Sequence, residues 1–218
     1  MAHDQQQNPL PAPAAATAAL KIDQLCVLRG SVLVIDHLSF TLDAGRFCCL
    51  TGPNGAGKST LLRTLAGRLP ATSGSFTCPV GRIYVGHADG LSPAISGRHN
   101  LASWAALYAI DAKRDTLDHA LDAFDAGSFA DRPVHLLSRG QRRRLALARL
   151  GLAPPNSLWL LDEPNAGLDH AADTHLDAMI AAHVSAGGMV MAATHGPLAA
   201  SVPQVRLELA GNTAGASR

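Results

Sequence analysis

Gly52-Pro53-Asn54-Gly55-Ala56-Gly57-Lys58-Ser59-Thr60 is a glycine-rich loop set between two apolar segments. The residues before it, 46–51, predict a short buried strand, and the leucines that follow, within 61–69, recur at helical spacing. Such a loop turns its backbone N–H groups toward one point, and the positive end of the following helix faces the same point. The sequence therefore predicts a site for the phosphates of a nucleoside triphosphate, with contacts from all nine loop residues.

Two side chains of this loop have predicted roles of their own. Lys58 adds a full positive charge beside the phosphates. Ser59 is placed to ligate Mg²⁺ through its hydroxyl, with Thr60 a less favourable contact behind it. The alternative is a glycine-rich turn that matches by chance, and the fit of both flanking segments disfavours it.

The composition of the chain indicates one hydrophobic core. It has 218 residues, 47% of them hydrophobic, and we expect one core with an inserted subdomain. Eighteen basic against seventeen acidic residues leave a net charge of +1, so charge gives no reason to expect nucleic acid as a partner. The four cysteines lack metal-ligand spacing, and we expect a reduced, cytosolic compartment.

Both ends of the sequence are predicted to lie outside the folded domain. Residues 1–19 are rich in Ala, Pro and Gln and lack the basic start of a signal peptide, which indicates a disordered leader. Residues 211–218 are expected to form a flexible tail. No apolar run is long enough for a transmembrane helix, so any membrane location would come through a partner.

The hydrophobic pattern elsewhere predicts a mixed α/β domain. Alternation through 20–26 and 38–42 predicts antiparallel strands in a small β-layer. Residues 82–85 predict another strand, and apolar residues recur at three- and four-residue intervals from Asn100 to about Phe129, which predicts inserted helices. The expected boundaries are 20–91 and 146–210 for the core and 92–145 for the helical subdomain.

Two acids end an apolar run, 157–161, that reads as a buried strand. Open α/β sheets bind ligands at the carboxyl ends of their strands, where Asp162 and Glu163 would lie. In phosphate-loop enzymes the first acid holds Mg²⁺ through its water shell, and Glu163 would then act as general base on the attacking water. A solvated strand end is the alternative, and the upstream phosphate loop disfavours it.

Another helix is predicted to start at Leu137-Ser138-Arg139-Gly140-Gln141, where Ser138 and Gln141 have the spacing of a capping box. A helix start with a hydroxyl and a glycine N–H is also an anion site, so cap and phosphate contact are compatible. The basic residues that follow are interpreted as a solvated face rather than a nucleic-acid patch: Arg142, Arg143 and Arg144.

A last apolar strand, 189–194, is predicted to deliver His195 to the edge of the sheet. A histidine there can hydrogen-bond a γ-phosphate or orient water, so His195 is a candidate catalytic residue. An isolated histidine is more often structural, and this alternative stays open.

These motifs, with Ala166-Gly167-Leu168-Asp169, resemble those of the ATP-binding-cassette ATPases and occur in the same order. The resemblance implies a phosphate-loop (RecA-like) core that binds ATP and Mg²⁺, and a head-to-tail dimer that encloses two ATP molecules. It implies that the signature segment 137–141 serves the ATP of the opposite subunit, through Ser138 and the Gly140 N–H. Asp169 would link the two sites across the interface.

Within that family, Gly86-His87 replaces the usual glutamine, and this feature, with the short chain, resembles the ATP-binding subunits of haem-export systems in cytochrome c biogenesis. The resemblance implies a separate integral-membrane permease and a location at the cytoplasmic face of the bacterial inner membrane. His87 would couple to the permease or contact the metal. Another cargo, or a soluble cassette ATPase acting on ribosomes or nucleic acid, are the alternatives.

Two further departures from the family pattern concern arginines. The aromatic residue that usually stacks on adenine is missing, and Arg29 is nearest that position; a guanidinium can also stack on a purine. Arg139 replaces a common glycine of the signature, and this replacement should matter little if its side chain points to solvent.

Overall fold

The computed structural model describes residues 19–194, 196 and 198–210. Its strands are β1 (Ala19–Arg29), β2 (Val32–Asp43), β3 (Phe47–Thr51), β4 (Ser73–Thr77), β5 (Arg82–Val85), β6 (Leu158–Asp162), β7 (Met189–Ala193) and β8 (Gln204–Glu208). Its α-helices are α1 (Lys58–Leu65), α2 (Gly97–Leu107), α3 (Arg114–Asp122), α4 (Arg139–Leu147) and α5 (His170–Ser185). The predicted tail, the predicted leader apart from Ala19, and His195 lie outside the described residues.

A five-stranded parallel sheet forms the centre of the domain, in the order β5-β6-β7-β3-β8. Because its strands run the same way, the segments that follow β3, β5, β6 and β7 all leave from one edge. The registers Val85↔Leu161 and Asp162↔Ala193 bring the ends of β5, β6 and β7 level with one another. This edge therefore collects the glycine-rich loop, His87 and the Asp162-Glu163 pair.

A second, antiparallel sheet lies beside the phosphate-loop helix, in the order β2-β1-β4. The predicted β-layer is confirmed, although its strands are longer than the alternation suggested. β1 and β2 join in a hairpin that turns at Gly30, and Arg29 lies at its tip. β4 was not predicted, because Ser73–Thr77 lacks an apolar alternation.

The inserted helices are α2 and α3, followed by short 3₁₀ turns at Gly127–Phe129 and Val134–Leu136. α2 starts at Gly97, a little earlier than predicted, because the Ser96 hydroxyl caps it by accepting a hydrogen bond from His99 N–H at 3.2 Å. The Arg98 guanidinium joins this subdomain together by pairing with Asp118 and Asp131. No helix within the described ranges is long and apolar enough to cross a bilayer.

Two hydrophobic clusters cover the two faces of the parallel sheet. Alternate residues of β6 face opposite ways, so Leu158 and Leu160 pack toward α1 and the antiparallel layer, whereas Trp159 and Leu161 pack toward α5 and the inserted helices. Cys48 and Cys49 also face opposite clusters, and burial raises the pKa of the Cys48 thiol to about 12. The α/β fold with an added β-layer and inserted helices is thus confirmed.

Candidate nucleotide-binding and catalytic site

The glycine-rich loop leaves β3 and opens onto a cavity of about 480 Å³, here called the loop cavity. Its lining residues are Arg29, Val34, Asn54, Gly55, Gly57, Lys58, Ser59, Thr60, Asp162 and Glu163. Gly52, Pro53 and Ala56 are not among them, and Ala56 packs into the core instead. The structure thus brings the β1–β2 hairpin, the loop and the end of β6 around one space.

Gly57 shows why the loop needs glycine. It is the N-cap of α1, with φ at 99°, a conformation that side chains with a Cβ rarely adopt. A Cβ on Gly57 would also lie 2.7 Å from Val34 Cγ1 and 2.9 Å from Ile35 Cδ1. The helix start is therefore pressed against β2 as closely as a backbone allows.

Lys58 lies across the loop. Its ammonium donates hydrogen bonds to the carbonyl oxygens of Gly52, at 2.7 Å, and Pro53, at 3.0 Å. These two residues contribute to the site through Lys58, which they hold at the wall of the loop cavity. A third donor direction of the ammonium remains for an anion.

Ser59, the residue after Lys58 in the loop, forms a polar pair with Asp162 at the end of β6. The Ser59 hydroxyl donates to Asp162 Oδ1 at 2.9 Å, and Asp162 is buried. Within the described part of the chain, Asp162 Oδ2 has no hydrogen-bond partner. A buried carboxylate oxygen without a partner is costly, and a hard cation would compensate it. The hydroxyl and carboxylate oxygens here therefore fit Mg²⁺.

Glu163 continues from Asp162 in an unusual backbone conformation. Its φ is +50°, in the left-handed region, which for a residue other than glycine costs on the order of 1–3 kcal/mol. Its side chain lines the loop cavity, and Oε2 lies 3.1 Å from His87 Nδ1. Strained backbone at a carboxylate that faces a phosphate cradle is typical of a functional position.

The structure places His87 beside Glu163, at the end of the neighbouring strand β5. Its side chain is 57% exposed, whereas that of Glu163 is 35% exposed. His87 thus joins the candidate base to the protein surface, which favours a coupling role over a metal contact.

The signature segment 137–141 starts α4 with the predicted capping box. Gln141 N–H donates to Ser138 Oγ at 3.2 Å, and Ser138 N–H donates to Gln141 Oε1 at 2.9 Å. Leu137 is buried, whereas Ser138 and Arg139 are exposed. Among the described residues that line the loop cavity, none belongs to this segment. Ser138 and Gly140 therefore do not contribute to the wall of the chain's own loop cavity.

Asp169 lies at the start of α5, next to the signature helix. Its carboxylate accepts a hydrogen bond from Ala172 N–H at 3.0 Å and pairs with the Arg144 guanidinium. The backbone hydrogen bond, and then Arg144, lower the pKa of Asp169. This ion pair connects the 166–169 turn to α4.

The prediction of a solvated arginine face is wrong for Arg143. Its side chain is 3% exposed, and burial lowers its pKa, against an opposing effect of Asp89. Successive residues on a helix point about 100° apart, so three arginines in a row cannot share one face. The signal was present in the sequence, because Ala146, Leu147 and Leu150 follow Arg143 at the spacing of a buried helix face.

The Arg143 guanidinium makes four hydrogen bonds to backbone carbonyls. It donates to Gly86 O at 2.8 Å, Asp162 O at 3.2 Å, Glu163 O at 2.7 Å and Pro164 O at 3.0 Å. Asp89 lies 3.6 Å away as its counter-ion. Sequence reasoning did not identify this contact between α4 and the end of β6.

Comparison with known proteins identifies the class that this fold and site define. The chain matches the family model described as ABC transporter over residues 35–166. It superimposes on a dimeric ATP-binding cassette in a post-hydrolysis state with ADP and Pi, at a TM-score of 0.75 and 20% identity, covering 87% of this chain and 96% of that one. An ABC transporter ATP-binding protein from Pyrococcus furiosus gives a TM-score of 0.71 at 20% identity, over 88% and 98% of the two chains.

Relatives with higher identity narrow the class. A protein of Rhodobacter capsulatus described as "Cytochrome c biogenesis ATP-binding export protein CcmA" is 44% identical, over 88% of this chain and 87% of its own length. A protein of the same description from Gluconobacter oxydans is 44% identical over 86% of each. The chain belongs to the ABC transporter family, as an ATP-hydrolysing member of the CcmA type.

Proposed function

We propose that this chain is the ATPase subunit of a membrane complex that exports or handles haem during the biogenesis of c-type cytochromes. The observation that carries the proposed ATPase activity is the loop cavity, where Asp162 and Glu163 lie beside the phosphate loop and Ser59 of that loop donates a hydrogen bond to Asp162. The haem part is supported by the description of the relatives and by the Gly86-His87 sequence. The reaction is ATP and water to ADP and phosphate.

In this proposal the loop cavity holds the nucleotide. The backbone N–H groups of residues 54–60 bind the triphosphate, and Lys58, held by the carbonyls of Gly52 and Pro53, directs its remaining donor to a phosphate oxygen. Arg29, at the hairpin tip, stacks on the adenine. Ser59 and Asp162 hold Mg²⁺, which neutralises charge on the β- and γ-phosphates when bound.

Glu163 is proposed as the general base. Its carboxylate lines the loop cavity and accepts the proton of a water molecule as that water attacks the γ-phosphorus. His87, 3.1 Å from Glu163, orients this carboxylate and connects it to the protein surface. His195, outside the described residues, follows β7 in the sequence and is proposed to contact the γ-phosphate.

The second copy of the chain is proposed to complete the site. Segment 137–141 lies off the loop cavity, so Ser138 and the Gly140 N–H serve the ATP of the partner in a head-to-tail dimer. The Ser138 hydroxyl accepts the capping bond and still has its proton to donate to a phosphate. Asp169, paired with Arg144, lies beside this segment and links the two sites.

The membrane partner is proposed to dock beside His87. A groove of about 290 Å³ follows β5, lined by Asp89, Gly90, Leu91, Pro93, Val134, His135 and Arg142. It joins the 86–93 segment to the inserted subdomain, so a permease seated there would act on His87 and, through it, on Glu163. In this proposal the chain works at the cytoplasmic face of the bacterial inner membrane, with no nucleic acid as partner.

Deleting the gene in its host tests the proposal. We expect mature c-type cytochromes, scored by haem staining of membranes, to disappear and to return with the wild-type gene. A Lys58→Ala gene should fail to restore them, whereas the exposed Lys113→Ala, at the N-cap of α3, serves as the matched lysine control. Unchanged cytochromes in the deletion strain would refute the haem role, and co-purification with ribosomes rather than membrane proteins would refute the transport class.

A further inference from the structure

The Arg143 side chain lies in the interior of the domain. Its guanidinium is enclosed by the end of β6, the end of β5 and α4 itself, and its side chain is 3% exposed. A buried cation is retained only where it is paired and hydrogen-bonded, and Arg143 has four carbonyl acceptors and the Asp89 carboxylate.

Three of these carbonyls belong to consecutive residues, 162–164. In a regular strand, successive carbonyls point in opposite directions, so three of them reach one group only if the backbone turns. The turn occurs at Glu163, whose φ is +50°. These hydrogen bonds from the Arg143 guanidinium therefore stabilise the conformation in which the Glu163 side chain faces the loop cavity.

The remaining contacts of Arg143 lie on the segment after β5. Gly86 O accepts at 2.8 Å, and the Asp89 carboxylate is 3.6 Å away. These residues flank His87, whose Nδ1 lies 3.1 Å from Glu163 Oε2. Arg143 thus contacts the backbone of Glu163, and His87 contacts its side chain. Arg143 also connects the 86–89 segment, which contains His87, to α4.

We propose that Arg143 is a positioning residue for ATP hydrolysis: it sets the backbone of Glu163 and ties it to α4 and to the 86–89 segment. The inference rests on the proposed role of Glu163 as general base. A planar guanidinium with five N–H donors can serve several carbonyls at once, whereas a lysine ammonium has three donors on one atom. Charge alone does not replace it.

Arg149 provides a matched control. It is also a buried arginine at the end of the same helical segment, 6% exposed, and it donates to a single carbonyl, Gly90 O, at 2.8 Å. Burial lowers the pKa of Arg149 to about 10. Arg149→Lys therefore removes a guanidinium of similar burial whose hydrogen bond to Gly90 O reaches the 86–90 segment rather than residues 162–164.

The experiment compares Arg143→Lys, Arg143→Gln and Arg149→Lys in the purified complex with its membrane partner. We expect both Arg143 variants to bind ATP with unchanged Kd and to lose about 10- to 100-fold in kcat, the effect of a misplaced catalytic group. Arg149→Lys should keep kcat within about threefold of wild type. Thermal melting confirms that each variant is folded at the assay temperature.

A double-mutant cycle separates positioning from general destabilisation. If Arg143 acts through Glu163, adding Arg143→Lys to Glu163→Gln should not lower single-turnover hydrolysis further. An equal loss in both backgrounds, an unchanged kcat in the single variants, or an equal loss in Arg149→Lys would each overturn the inference. Normal turnover of Glu163→Gln would instead refute the proposed base, so the two failures are distinguishable.

Discussion

Replacing Gly57 by alanine tests how closely the phosphate loop is fitted against β2. The new Cβ would meet Val34 Cγ1 at 2.7 Å, so an ordinary contact of 3.4 Å requires a shift of about 0.7 Å. A shift of that size lengthens an N–H···O bond from about 2.9 Å to about 3.6 Å, beyond hydrogen-bonding distance. The loop would lose at least one bond to phosphate.

The expected magnitude follows from that loss. One hydrogen bond to a charged group contributes about 1.5–3 kcal/mol, so ATP affinity should fall about 10- to 150-fold. Left-handed backbone at an alanine adds about 1–2 kcal/mol of destabilisation to the folded chain. Equilibrium binding of a fluorescent ATP analogue measures the first effect, and thermal melting measures the second.

Gly55→Ala is the matched control, because Gly55 has φ at +83° but nothing within 4 Å of an added Cβ. It should show the melting shift with a smaller loss of affinity. Val34→Ala should restore part of the affinity of Gly57→Ala by making room. Equal affinities of the two glycine variants, or no rescue by Val34→Ala, would refute the fit deduced from the loop geometry.

Three other predictions follow from named contacts. Glu163→Gln should leave the ATP Kd unchanged and lower kcat by about 10²- to 10⁴-fold in a steady-state assay, and unchanged turnover would remove Glu163 as base. Lys58→Ala should weaken ATP binding itself, measured by titration, because the phosphates lose an ion partner; normal affinity would contradict this. Burial lowers the pKa of His183 below its ordinary value of 6.5, so the folded chain favours the neutral imidazole. Its contribution to the free energy of unfolding is therefore full above pH 6.5 and is lost as the pH falls from the unfolded pKa toward the folded one. His183→Phe should flatten the dependence of the melting temperature on pH between 7.5 and 5, and an unchanged slope would assign the dependence to other groups.

The parts of the fold that depend on local pattern were predictable. The glycine loop, the strand before it and the capping box at Ser138 each involve residues within a few positions of one another, and all are present. β4 was missed because its five residues carry no alternating apolar pattern and pair only through β1. Its existence depends on a partner strand that is distant in the sequence.

The site was predictable as a set of residues but not as a network. The contact between His87 and Glu163 spans 76 positions and exists because β5 and β6 are neighbours in the sheet. The hydrogen bonds of Arg143 reach four carbonyls from two distant segments, and no pattern of side chains reveals these partners. Backbone acceptors are present at every residue, so only the fold determines which of them converge on a cation.

The start and the middle of α4 contribute to different sites in the proposed dimer. Its first residues, Ser138 and Gly140, lie off the loop cavity and are available to the partner's ATP, while Arg143, one turn further, holds the backbone of Glu163 in the chain's own site. A helix of nine residues moves as a rigid unit, so a displacement of its start by the partner's γ-phosphate also displaces the Arg143 fork. In the proposed dimer, the phosphate loop of one chain and Glu163 of the other would thereby be connected through a single turn of helix, and the fit of ATP in one site would affect hydrolysis in the other.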